Sequence, residues 1–132
     1  IKSGADWAIV FDTPNNRYLV CSDRGADSSW PGIGDNTIEK TVNLTGDLSS
    51  YKSGDIDFGH GDAATNATAS GGSFPDDEVS FSNPDNVATF NSRGMGTAGY
   101  TYLSNKNNKA YAVGKVSSGS IRCVRWANSK WK

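Results

Sequence analysis

Turn-forming residues interrupt this chain so often that no stretch of about ten residues keeps a helical period, which confines it to short strands joined by turns. The pattern is tightest from residue 78 onward. Strands are predicted at Glu78–Ser82, Asn86–Asn91, Gly99–Ser104, Lys109–Val116 and Ser120–Trp126, separated by Asn83–Asp85, Arg93–Gly96, Asn105–Asn108 and Ser117–Gly119. Turns this short make neighbouring strands antiparallel, so the C-terminal half reads as a meander. The front of the chain has the same character: Trp7–Asp12 and Arg17–Ser22 flank the turn formers Thr13, Pro14, Asn15 and Asn16 and predict a hairpin. A further strand is expected at Thr37–Asn43 and a short extended piece around Ile56–Phe58. Irregular surface loops, rich in Gly, Ser, Asp and Thr, are expected at about 23–36 and 44–77. A helical remnant is expected only at Ile1–Asp6. The fold class is mainly β, with antiparallel β-sheets forming a β-sandwich or β-sheet domain.

At 132 residues the chain suits a single domain spanning 1–132, large enough to bury roughly two thirds of its unfolded surface. Its aromatic content of 11% argues against disorder. The longest apolar run, Trp7–Phe11, is far shorter than the ~20 residues of a membrane-spanning helix, so these residues read as a soluble ectodomain. The chain opens at Ile1 rather than Met, and an N-terminal segment is expected to precede it in the native polypeptide. Net charge is −1, yet residues 1–85 hold 14 acids and 5 bases (−9) while residues 86–132 hold 8 bases and no acid (+8). Either this division makes opposite patches that steer partners or join copies head to tail, or strands of the two halves interleave and mix the charge.

Enzyme chemistry finds little support. His60 is the one histidine, it lies between glycines as a solvent-exposed loop residue is expected to, and no nucleophile motif accompanies it. Asp57–Gly59 spells a kinase tripeptide without the rest of that signature. Paired carboxylates for glycoside chemistry depend on spatial separation, which the sequence does not give. The chain is therefore read as not an enzyme. Asp23, Asp27 and Asp35 share one Gly-bearing loop, and two readings stand for them: oxygen ligands for a hard cation such as Ca²⁺, or side chains capping turns through their own backbone. Cys21 and Cys123 fall in predicted strands at opposite ends of the chain. Outside the reducing cytosol they are expected to form a disulfide; the alternative is two separate buried thiols. At the C-terminus, Arg122, Arg125, Lys130 and Lys132 interleave with Trp126 and Trp131. That combination fits DNA, through phosphates and stacked bases, or an ordinary solvated edge whose aromatics cover the core.

Asn86–Gly94, with a strand ending in Phe90 and then Arg93 and Gly94, followed by Gly99–Leu103, Ala110–Val113 and Gly119–Arg122, resembles the globular domain of the GspH/FimT family. These are minor pseudopilins of type II secretion and minor pilins of type IV pili. The first hairpin also resembles that family through Trp7–Asp12 with Asn15, Asn16 and Tyr18 following, so the likeness covers roughly 1–22 and 78–126. It implies an N-terminal hydrophobic helix ahead of Ile1, cleaved and methylated by prepilin peptidase, which anchors the subunit in the inner membrane and later packs in the filament core. It also implies β-sheets packed against the end of that helix, a pilin fold that is α+β once the helix is counted. The implied role is structural, in filament priming or at the tip. Other pilins or pseudopilins would be the partners, with no cofactor and no small-molecule substrate, at the periplasmic or extracellular face of the bacterial inner membrane or within a pilus. Some FimT-type members bind DNA through a Gly-Arg-x-Arg segment. The matching positions here are Gly119, Ser120, Ile121 and Arg122, which lack the first arginine.

Overall fold

The computed structural model describes residues 6–25, 29–31, 34, 36–44, 56–82, 85–91 and 93–132. Among them the strands are β1 Trp7–Asp12, β2 Arg17–Asp23, β3 Thr37–Asn43, β4 Ile56–Phe58, β5 Val87–Phe90, β6 Gly99–Asn105, β7 Ala110–Lys115, β8 Ile121–Ala127 and β9 Lys130–Trp131. They build two antiparallel sheets, ordered β3-β2-β1-β5 and β4-β6-β7-β8-β9, so the fold is mainly β as expected. The helical remnant expected at Ile1–Asp6 lies almost wholly outside the described residues.

The first hairpin forms where its turn residues place it, with pairs running from Ala8↔Cys21 to Asp12↔Arg17. Thr13–Asn15 make one 3-10 turn, with Pro14 fixing its own φ, and Asn16 closes it in the left-handed region at φ 52. At the root of the turn, Arg17 Nε lies 2.7 Å from Asp12 Oδ2.

Three expectations need correction. The C-terminal half is a meander only from β6 onward, because β5 joins the first sheet beside β1, with Trp7 opposite Phe90. The crossing is made at 96–97: Thr89 and Thr97 exchange hydrogen bonds of 3.0 and 3.2 Å, and the Gly96 N–H donates to the Ser117 carbonyl. Gly96 lies so close to β5 that a Cβ there would stand 1.9 Å from the Thr89 carbonyl oxygen, so no other residue fits the crossing. Second, Glu78–Ser82 makes one isolated bridge, Val79↔Thr101, instead of a strand; Glu78 at φ 69 breaks the extended run at its start. Third, β9 was not foreseen. Asn128 and Ser129, at φ 54 and 63, give the two left-handed residues of a tight hairpin turn that pairs Trp126 with Trp131.

Part of each sheet's outer face is buried. On the first sheet, Ala8, Val10, Leu19, Cys21 and Val87 pack with Trp30. On the second, Tyr102, Ala110 and Ala112 are 1 to 2% exposed beneath residues 60–78. That segment is the described part of the expected 44–77 surface loop, and it is a structural cover rather than a free loop. Its Ala67 N–H donates to the Tyr102 hydroxyl at 2.9 Å, Trp131 Nε1 donates to the Thr65 carbonyl at 2.8 Å, and Phe74 meets Tyr102 edge to face at 5.0 Å. Asp62, Asp76, Asp77 and Glu78 thus ride on the sheet that carries the basic strands, and the two halves interleave in space. Charge pairing between an acidic end and a basic end has no basis in this arrangement.

Candidate docking groove

The inner faces of the two sheets enclose a groove between them. Alternation along the strands sends Ile9, Phe11, Tyr18, Ala88 and Phe90 inward from the first sheet, and Phe58, Thr101, Leu103, Val113, Lys115 and Ile121 inward from the second. They meet around Phe11, which stacks on Phe81 at 5.7 Å and meets Phe58 edge to face at 6.3 Å. Beyond that contact the faces leave a groove of about 290 Å³ lined by these residues with Leu44 and Phe81. Val113 and Ile121, apolar side chains on its wall, are 39% and 54% exposed.

Both ends of the groove are tied. At one end Asn16 spans the sheets: its Nδ2 donates to Asp57 Oδ1 at 2.9 Å and to the Ile56 carbonyl at 3.2 Å, and its Oδ1 accepts from the Phe58 N–H. At the other end Lys115 reaches from β7 to the 96–97 crossing, its Nζ donating to the Thr97 carbonyl at 2.9 Å and lying 4.9 Å from the centre of the Phe90 ring. Burial lowers the Lys115 pKa from its ordinary value, since taking the ammonium out of water disfavours its charged form. Among the described residues no carboxylate pairs with it. Thr101 Oγ1, on the same wall, is buried without a hydrogen-bond partner. In the sequence Lys115 falls inside the predicted strand Lys109–Val116 and reads, with Lys106 and Lys109, as an extension of the basic C-terminal surface; the structure buries it instead.

The residues singled out from the sequence fall elsewhere. Arg122, Arg125, Lys130 and Lys132 are all exposed on β8, β9 and the terminal residue. The register divides them: Arg122 lies opposite Gly114 on the outer face of the second sheet, while Arg125 shares the inner side with Lys130 and Lys132. Trp126 and Trp131 are half-buried and packed on each other at 5.4 Å, so neither ring is a free stacking platform. Of the three aspartates, Asp27 and Asp35 lie outside the described residues. Asp23 Oδ1 accepts the Gly25 N–H at 2.7 Å, which is the turn-capping arrangement. Among the described residues no group of three metal-ligating side chains is present.

His60 is a loop residue whose side chain is 37% exposed, and it also fastens the outer cover. Its Nδ1 lies 2.8 Å from both Glu78 carboxylate oxygens, and its ring stacks on Phe74 at 3.8 Å.

The expected disulfide is absent: Cys21 and Cys123 are free thiols. Cys21 points to the outer face of the first sheet, away from the second, whereas Cys123 sits exposed on the inner side of β8 opposite Val113. Burial pushes the Cys21 thiol pKa up, opposed by the Asn36 amide that reaches its Sγ at 3.7 Å. Iodoacetamide on the native, non-reduced chain is therefore expected to modify Cys123 alone, with Cys21 reacting only after unfolding. Two native thiols that both resist alkylation until reductant is added would contradict these positions.

No family model, no curated protein and no solved structure matches this chain.

Proposed function

We propose that this chain is the globular domain of a minor pilin or pseudopilin of the GspH/FimT kind, a structural subunit that acts through protein–protein contacts rather than catalysis. The observation that carries the reading is the open apolar groove between the inner faces of the two sheets. The resemblance of the sequence implies β-sheets packed against the end of a hydrophobic N-terminal helix, and the groove offers such a helix an apolar seat. Trp7, where β1 begins, lies opposite Phe90 at the Lys115 end of that groove. A helix lying in the groove and leading into β1 enters the fold there. In this reading the helix anchors the subunit in the bacterial inner membrane, the domain lies on its periplasmic or extracellular side, and other pilins or pseudopilins are its partners during priming or at the tip of the filament.

The native sequence upstream of Ile1 tests the reading directly. The expected result is a short basic leader ending in Gly, then Phe and an apolar helix with Glu at its fifth position. An upstream segment without an apolar helix overturns it.

A further inference from the structure

Lys115 carries a charge that no group among the described residues answers. Its side chain is 4% exposed, and residues 86–132 around it in sequence contain no acid. Buried ammonium groups persist when paired, because removing an unpaired charge from water is costly. One carbonyl oxygen, that of Thr97, accepts one of its three N–H donors, and the face of Phe90 supplies a weak further attraction. Thr101 stands diagonally from Lys115 on the same wall, since Thr101 pairs with Val113 and Gly99 with Lys115. It is 5% exposed and its hydroxyl is also without a partner. Two unanswered polar groups on one wall of an otherwise apolar groove, the charged one at its end, describe the complement: apolar along its length, with an anionic acceptor at that end.

The form of the occupant follows from the walls. They are lined by side chains of the two inner faces, and a strand laid across those side chains would bury its own N–H and C=O groups against hydrocarbon. A helix satisfies those groups internally. We propose that the groove takes an apolar helix bearing one carboxylate, and that this carboxylate pairs with Lys115. The inference rests on the groove being a helix seat and adds to it the charge that selects the helix and fixes its position along the groove. A glutamine in place of the acid fills the same volume but leaves the ammonium buried without counter-charge.

The test uses the 132-residue chain and three probes in titration calorimetry at neutral pH. Two are synthetic Ala/Leu helices that differ only in Glu or Gln within the last two turns; the third is decanoate. The Glu peptide is expected to bind about tenfold more tightly than the Gln peptide, and the preference is expected to vanish in Lys115→Met. Lys115→Met is expected to keep its cooperative melt, since it removes an uncompensated buried charge while keeping an apolar stem. Equal binding of the two peptides to the wild type overturns the Lys115 pairing and leaves the helix seat standing. Binding of neither peptide overturns the seat itself, and decanoate binding in that case assigns the groove to an acyl chain.

Discussion

Tyr102→Ala is expected to lower the stability of the domain by about 4 kcal/mol, which for a chain of this size corresponds to roughly 10–20 °C in melting temperature. The residue is 1% exposed and is the largest of the fully buried side chains among the described residues. Its ring is held between Phe74 at 5.0 Å, Tyr100 at 6.1 Å and Trp131 at 5.8 Å, and its hydroxyl accepts the Ala67 N–H. Burial is the main cause that pushes the phenol pKa above its ordinary value. Truncation removes the ring and opens a cavity beneath the 60–78 cover, and it also takes the acceptor from Ala67. Tyr102→Phe separates the two effects, because it keeps the packing and loses the hydrogen bond, at a cost of about 1 kcal/mol. Denaturant melts give both values. Hydrogen exchange then locates the damage: in Tyr102→Ala the amide of Ala67 is expected to lose protection before those of β1 and β2. A loss below about 1 kcal/mol for the alanine variant would mean that the cover is not seated on Tyr102.

The parts of this fold that were legible in the sequence are those set by local rules. Thr13–Asn16 specified the first hairpin because Pro14 and Asn16 favour the backbone angles that the turn requires. β6, β7 and β8 followed from alternation between short breakers, and their predicted ends fall within a residue or two of the observed ones. What was not legible depends on pairing between segments distant in sequence. The exchange of β5 into the first sheet is decided by the crossing at Gly96 and Thr97, a contact with no local signature. His60 drew attention only as a lone histidine; its partner Glu78 lies 18 residues on and meets it because the cover folds back over Tyr102. The cysteines were expected to pair on compartment arguments, but facing is a property of strand register, and register sends Cys21 outward and Cys123 inward. The groove itself was invisible, since alternation along a strand identifies an apolar face without indicating whether that face is covered.

On the proposed pilin reading, Val113→Asp is expected to abolish seating of the N-terminal helix, with subunit incorporation into filaments falling by more than about 100-fold, while the isolated domain loses only about 1 kcal/mol. The contrast comes from where the side chain stands. Val113 is 39% exposed on the groove wall, so in the isolated domain an aspartate there remains hydrated. A helix laid over it strips that water from a carboxylate whose surroundings are Thr101, Leu103 and Ile121. Lys115 is two residues away on the same face, yet its ammonium is drawn to the Thr97 carbonyl and the Phe90 ring at the end of the groove and does not repair the loss. Val116→Asp is the matched control: the same chemical change at a residue 45% exposed, just past β7 and outside the groove lining, is expected to leave incorporation within about twofold of wild type. Melting both variants as isolated domains checks that neither has unfolded, and measuring incorporation of the domain joined to the helix that the proposed function expects reads the groove. Equal incorporation of Val113→Asp and Val116→Asp would place the helix elsewhere on the domain and remove the main support for the pilin reading.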